Sequence, residues 1–243
     1  MVKLAIVLSF CLCIAKGFAG ETLKYDLSGS SNWIPYYIDG DKSSGILGEL
    51  IPIILSKSGI SGEQITLPPK RTNLALEAGL LDFDIVSPSW FENEYVSEQF
   101  VLSNAILPIK EYVVHLPKLS LSKTKLEHFN DQRIGTVRGY IYHNDQHFKR
   151  VDFSSEKELV KALATKRVEY AIIGDLPARY WSSKLNVPIE MQVEHSSGTL
   201  HIRLHKKYHY LLPIINKSIL QLKKEGEIDK IIGHYIGNLA KQN

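Results

Sequence analysis

The sequence predicts an α/β protein, and three observations lead to this prediction. Strand-like stretches alternate along the chain with stretches whose apolar residues recur at helical spacing. Such alternation is typical of folds in which helices cover parallel strands. A helix end, a turn and a strand follow one another twice, at 76–85 and at 163–173. Two similar α/β units indicate two lobes with a cleft between them, and residues 20–243 are enough for both.

The predicted strands are short apolar or β-branched runs bounded by turn residues. In chain order they fall at 22–27, 64–67, 83–86, 111–115, 133–137 and 170–174. Residues 201–204 also alternate between polar and apolar side chains as in a strand, although His201, His205 and His209 have the spacing of a helical metal site. We therefore interpret these histidines as surface residues.

The predicted helices carry apolar residues at intervals of three and four, and most end at a glycine. They fall at 47–57 before Gly59, at 72–78 before Gly79, at 154–165 with Ser154 as N-cap, at 211–224 before Gly226, and at 228–235. Glu156 and Glu158 in the first turns of the third helix suit its positive N-terminal dipole.

Residues 1–19 have the features of a secretory signal peptide. Lys3 precedes an apolar run at 4–15, and Ala19 ends the segment with a small residue. The run is short for a membrane anchor, which is the alternative interpretation. Cleavage after Ala19 would remove Cys11 and Cys13, so we expect a periplasmic mature protein that is held by its core without disulfides.

The charge balance excludes a nucleic-acid-binding protein. Loss of Lys3 and Lys16 with the predicted signal peptide leaves 27 basic and 26 acidic residues, from totals of 29 and 26. A chain so close to neutrality lacks the basic footprint that nucleic acid requires. No later segment approaches the length of a transmembrane helix, and we expect a monomer without cofactor or metal.

Several segments, in their order and spacing, resemble the extracellular solute-binding proteins of polar amino acid transporters (family 3). The segments that carry the resemblance are Trp33-Ile34-Pro35-Tyr36, 45–50, 79–86 with Asp82, 100–103, 134–139, 171–175 and 220–235. The resemblance covers nearly the whole mature chain. It implies the two-lobed periplasmic-binding protein type 2 fold, with lobe 1 at 20–112 and 203–243 and lobe 2 at 113–202. It also implies hinge strands near Tyr112 and Leu200, a small-molecule ligand, and an ABC permease or a receptor as partner.

The resemblance also implies ligand contacts. An aromatic residue at Trp33 would stack on the ligand, with Tyr36 as a second choice and Trp90 as a further wall. Ser87 and Ser89 follow a strand and would fix the ligand through hydroxyl or backbone groups, unless they form an ordinary turn.

Charged contacts follow from the same resemblance, and one of them departs from the family pattern. Asp175 matches the aspartate that binds the ligand ammonium. The arginine that clamps the ligand carboxylate is replaced by Glu94, and neither arginine nor lysine occurs within 72–109. Arg71 and Arg138 are the candidates for compensation.

A second departure changes a hydroxyl residue of the second lobe to Tyr140. With carboxylates at Glu94 and Asp175, we expect a ligand that bears an amino or guanidino group. A ligand-sensing module is the first alternative function. A lyase or dehydratase that uses Glu94 and Asp175 as an acid/base pair is the second, although the chain contains no nucleophile elbow, zinc-protease motif or phosphate loop.

Overall fold

The computed structural model describes residues 22–27, 33–38, 45–117 and 125–240, and of 238–240 the backbone alone. The predicted signal peptide lies outside these residues. Among the described helices, none is both long and apolar enough to cross a membrane.

Nine strands and six α-helices follow one another in the described part of the chain. The strands are β1 (Thr22–Tyr25), β2 (Ser61–Gln64), β3 (Phe83–Val86), β4 (Phe100–Leu102), β5 (Leu107–His115), β6 (Arg133–Val137), β7 (Lys149–Phe153), β8 (Tyr170–Gly174) and β9 (Glu190–His205). The helices are α1 (Ile46–Lys57), α2 (Pro69–Glu77), α3 (Glu156–Ala164), α4 (Asp175–Leu185), α5 (Leu212–Lys224) and α6 (Glu227–Ala240).

The first half of the molecule consists of β1–β4 with α1, α2, α5 and α6. Its strands pair in the order β2-β1-β3-β9, and β4 adds to β9. The C-terminal helices return to this half: their buried residues join α1 and the strands in one apolar core that includes Leu47, Phe83, Leu204 and Ile219. The hydroxyl of Ser58, which directly follows α1, also forms a hydrogen bond with the Ser218 hydroxyl of α5 at 2.9 Å.

The second half consists of β6–β8 with α3 and α4. Its strands continue the pairing order as β9-β5-β8-β6-β7. One apolar core lies under α3 and α4 and includes Val137, Leu159 and Ile173. A second core on the other face includes Phe129 and Ile172. Each half therefore buries its own apolar residues.

The long strands β5 and β9 run through both halves as one antiparallel ladder. It extends from the Leu107–Leu200 pair to the His115–Glu190 pair, with register shifts between Glu111 and Tyr112 and between Val113 and Val114. The sheet is therefore mixed, and the expectation of parallel strands holds for β1–β2, β1–β3, β6–β7 and β6–β8 alone. The expectation is wrong for the pairs β3–β9, β4–β9, β5–β8 and β5–β9, which are antiparallel.

The pattern of helix end, turn and strand that occurs twice in the sequence also occurs twice in the structure. Helix α2 leads through Gly79 (φ 69°) to β3, and α3 leads through Lys166 (φ 56°) to β8. Both helices end at a left-handed residue, which glycine adopts without strain and lysine does not. The N-cap of α3 is Ser155, which accepts a hydrogen bond from the backbone N–H of Glu158, so the prediction of Ser154 is wrong by one residue.

Candidate functional site

A cavity of about 100 Å³ lies between the two halves. The first half contributes the residues that follow β1 and residues from α2, β3 and the end of β9, and the second half contributes the segment after β6 and the end of β8. Most of its wall is apolar. The apolar lining residues are Leu27, Trp33, Ile85, Val86, Trp90, Ile109, Val137, Ile141, Ile172 and Ile173. A concave, largely apolar site with a few polar groups is the usual form of a small-molecule site.

Two tryptophans form the aromatic part of the wall. The Trp33 ring lies 5.9 Å from the Trp90 ring in an edge-to-face arrangement and 4.4 Å from the Tyr36 ring. Trp33 and Trp90 line the cavity, whereas Tyr36 is fully buried behind them. The Trp90 indole N–H is buried and has no hydrogen-bond partner among the described residues. The structure thus brings Trp33 and Trp90 together at the cavity.

Three carboxylates of the wall each accept a hydrogen bond from a hydroxyl group. The Thr72 hydroxyl donates to Asp26, the Ser196 hydroxyl donates to Glu111 at 2.6 Å, and the Tyr140 hydroxyl donates to Glu156 at 2.8 Å. All three carboxylates belong to buried residues. A hydroxyl donor satisfies a carboxylate oxygen but leaves its negative charge in place.

A fourth carboxylate of the wall is neutralised by arginine. The Arg203 guanidinium donates from Nε to Asp84 Oδ1 at 2.8 Å and from Nη2 to Asp84 Oδ2 at 2.6 Å. It also donates to the Asn73 side chain at 3.1 Å and lies 5.1 Å from the centre of the Phe100 ring. Arg203 is 5% exposed and Asp84 7% exposed, so this is a buried, bidentate ion pair.

Glu111 lies on β5 at the first of the two register shifts of the β5–β9 ladder. Its Oε2 atom lies 3.5 Å from Nδ1 of buried His195, whose Nε2 contacts the Asn144 side chain at 3.1 Å. The His143 ring lies 4.4 Å from the His195 ring. Burial, and then the neighbouring His195, lowers the pKa of His143, although Glu111 opposes that shift.

The predicted charged residues lie mostly away from the cavity. Arg71 and Arg138 are exposed and do not line it. Glu94 is also exposed, at a left-handed turn (φ 57°), and it lines a separate depression beside His143 and His195. The backbone direction at these positions, which no local pattern of the sequence reveals, turns all three side chains toward solvent.

Asp175 is the first residue of α4 and follows Gly174 of the cavity wall. Burial raises the pKa of its carboxyl, against the backbone N–H of Leu176 and the charge of Arg179. Burial also holds the pKa of Tyr36 well above its ordinary value, and the charges of Asp175 and then Glu111 add to that effect. Asp175 itself is half-buried and is absent from the cavity wall.

The two halves touch closely at glycines. A Cβ atom on Gly139 would lie 2.8 Å from the backbone nitrogen of Lys70 and 3.1 Å from the Cβ of Pro69. A Cβ atom on Gly198 would lie 2.6 Å from the Ser87 hydroxyl and 2.7 Å from the Ser89 hydroxyl, which contact each other at 2.8 Å. Ser87 and Ser89 thus face β9 and each other and are absent from the cavity wall.

Sequence reasoning missed the polar residues that do line the cavity. These are Asp26, Thr72, Asn73, Asp84, Glu111, Glu156 and Arg203. A signal was present for two of them. Asp84 interrupts the apolar strand segment 83–86, and Arg203 lies within the alternating segment 201–204. A charge inside a strand is rarely buried unless it is paired. Glu111 carried a weaker signal of the same kind.

Comparison with known proteins identifies the fold of this chain. No protein-family model and no curated protein matches the sequence. Among solved structures, an ancestral arginine-binding protein bound to arginine is similar with a TM-score of 0.72 and 21% identity, over 89% of this chain and 99% of that one. A histidine kinase sensor domain with similarity to periplasmic binding proteins has a TM-score of 0.74 and 15% identity, over 90% and 97%.

A third similar structure is that of an ancestral amino-acid-binding protein that is a precursor of cyclohexadienyl dehydratase. Its TM-score is 0.68 and its identity 16%, over 88% of this chain and 95% of that one. At such identities the comparisons establish the fold. The chain therefore has the two-lobed α/β fold of periplasmic binding proteins, with the ligand cleft between its lobes.

Proposed function

We propose that this chain is a periplasmic solute-binding protein that captures a small, polar, amino-acid-like or amine-bearing ligand by hinge closure. The observation that carries the proposal is the cavity that both halves enclose, with buried Glu111 in its wall. The arginine-binding neighbour of the same fold is consistent with such a ligand. A buried carboxylate stabilises a ligand ammonium by a charge-assisted hydrogen bond.

Closure is supported by the arrangement of the two halves. We assign lobe 1 to residues 20–112 and 203–243 and lobe 2 to 113–202. The ladder of β5 and β9 crosses the boundary, and its two register shifts provide points at which the strands can twist. Close approach of Gly139 to Pro69 and Lys70 fits a closed arrangement of these lobes.

We consider two roles for the ligand-bound protein, which differ in the partner that receives it. Delivery of the ligand to an ABC permease is the first. The second is ligand sensing without transport, which the likeness to a histidine kinase sensor domain favours. In both roles the ligand leaves unchanged, which separates them from the lyase or dehydratase alternative that the dehydratase precursor raises.

A thermal-shift screen of the purified protein tests the binding function. The panel contains amino acids, monoamines, polyamines and small organic acids. A ligand present at a hundred times its dissociation constant should raise the free energy of unfolding by about 2.7 kcal/mol. Absence of a shift with every compound, together with no binding heat in calorimetry, would contradict the proposal. Recovery of the hit in altered form, measured by NMR, would show an enzyme instead.

A further inference from the structure

We infer that the ligand of this cleft is an amine without a carboxylate, built on a small apolar body, of the kind that remains when an apolar amino acid loses its carboxyl group. The inference rests on the proposed binding function and narrows it to a ligand class. Three features of the cavity carry it: a buried carboxylate that pairs with neither lysine nor arginine among the described residues, a guanidinium that is already paired, and an apolar wall.

Glu111 provides the negative charge. It is 7% exposed, it lines the cavity, and it accepts a hydrogen bond from the neutral Ser196 hydroxyl. His195 is its ion-pair partner among the described residues, at 3.5 Å. Neither lysine nor arginine of the described residues forms an ion pair with Glu111. Burying such a charge is unfavourable until a cation reaches it, and a ligand ammonium supplies that cation.

Arg203 is the basic residue that lines the cavity in the described part of the chain. Its guanidinium is held by both carboxylate oxygens of Asp84, at 2.8 and 2.6 Å, so the pair contributes no net charge. A ligand carboxylate beside Arg203 would also lie near Asp84 and would enter a cavity that contains Glu111. Like charges at short distance disfavour one another, so the cavity discriminates against the carboxylate of an amino acid.

The apolar wall determines the rest of the ligand. Trp33 and Trp90 present ring faces and edges, and eight aliphatic residues from both halves complete the wall. Aromatic rings attract an ammonium and pack against hydrocarbon. A volume of about 100 Å³ restricts the ligand to a small molecule. An apolar monoamine matches this wall, because its hydrocarbon body packs against the rings and the aliphatic residues.

Matched pairs of an amine and its parent amino acid test the inference. We would measure the affinity of the wild-type protein by calorimetry for isopentylamine against leucine and for 2-phenylethylamine against phenylalanine, with 1,4-diaminobutane and isopentanol as further probes. Each amine should bind at least about tenfold more tightly than its parent amino acid, since an unfavourable charge contact of about 1.4 kcal/mol corresponds to that factor. Isopentanol, which lacks the charge, should bind more weakly than isopentylamine.

Glu111→Gln then identifies the group that binds the ammonium. It preserves the shape and the acceptor for Ser196 but removes the charge, and the affinity for isopentylamine should fall about 10- to 100-fold. Glu194→Gln is the matched control, because Glu194 pairs with Tyr112 across the same ladder but faces solvent beside Lys110. Its affinity should equal that of the wild type. Thermal unfolding without ligand checks the fold of both variants.

The outcomes separate this inference from the proposed function. Tighter binding of leucine or phenylalanine than of the amines would overturn the inference and leave the binding function standing. Tighter binding of 1,4-diaminobutane than of isopentylamine would overturn the apolar-body part. Binding of none of these probes, together with a blank thermal-shift screen, would overturn both. The wild-type comparison decides the ligand class even if Glu111→Gln does not fold.

Discussion

Asp84→Asn should destabilise the protein strongly, because it breaks a buried ion pair from one side. The substitution preserves the size of the side chain but places an amide where Arg203 now donates to two carboxylate oxygens. The asparagine oxygen can accept one of these hydrogen bonds, and its NH₂ group then faces another donor. Arg203, 5% exposed, keeps its charge without a counter-ion. Removing one partner of a buried pair typically costs about 3–5 kcal/mol.

Urea denaturation of both proteins measures this loss as a difference in the free energy of unfolding. Asp145→Asn is the matched control, since it removes the carboxylate that Arg150 contacts at 2.9 Å on the surface. Exposed pairs of this kind contribute about 0–1 kcal/mol. Asp84→Leu combined with Arg203→Met should be less destabilising than Asp84→Asn, because no charge is then left unpaired.

The reasoning fails if Asp84→Asn and Asp145→Asn destabilise the protein equally. It also fails if the double variant is the less stable of the two Asp84 variants. A second readout comes from binding: the guanidinium released by Asp84→Asn should improve the affinity for leucine relative to isopentylamine. An unchanged ratio would mean that Asp84 does not mask Arg203 from the ligand.

Two further predictions concern the contact between the halves and the pH dependence of stability. Gly139→Ala should weaken binding, because its new Cβ atom would hold the cleft open. Gly79→Ala is the control: it has a similar φ and no atom within 4 Å of the new Cβ, so it should lose a comparable stability of about 1–2 kcal/mol without loss of affinity. Equal calorimetric affinities of the two variants would refute the idea that the Gly139→Ala side chain keeps the halves apart. The unfolded chain releases the Asp175 proton near pH 3.8, whereas the folded protein retains it to a higher pH because burial raises the pKa. The free energy of unfolding therefore decreases as pH rises from 3.8 through the raised pKa. Asp175→Asn should therefore gain stability relative to the wild type as pH rises above 3.8 in urea denaturation, and a difference that is constant with pH would contradict this assignment.

Much of the fold was predictable because local signals and tertiary structure agree. The strands at 83–86, 133–137 and 170–174 lie where their apolar runs predict them, and the helix at 47–57 is α1 within one residue. β9 was largely missed, because its polar residues alternate unevenly over 16 residues. Its strand conformation comes from pairing with β3, β4 and β5, which are distant in sequence.

For the candidate site, the sequence could predict only those cavity-lining positions that the resemblance aligns with the family. Trp33, Trp90 and Tyr140, which the resemblance proposes as ligand contacts, line the cavity, and their contact with a ligand stays a prediction. Glu94 is exposed, so we infer the preference for a cation from Glu111, which lines the cavity, instead. Which charged side chain points inward depends on how turns and long strands meet in space. A sequence pattern of a few residues contains no information on that arrangement.

The position of Glu111 has a consequence for the evolution of specificity. The residue that we assign to the ligand ammonium stands at one of the two register shifts of the strands that connect the halves. Irregular pairing at such a point increases the local twist of the ladder. If the lobes close on the ligand as we propose, a substitution that adapts position 111 to another ligand would also act on the balance between the open and closed protein. Selection for a new ligand at this position would then act on affinity and on closure at once.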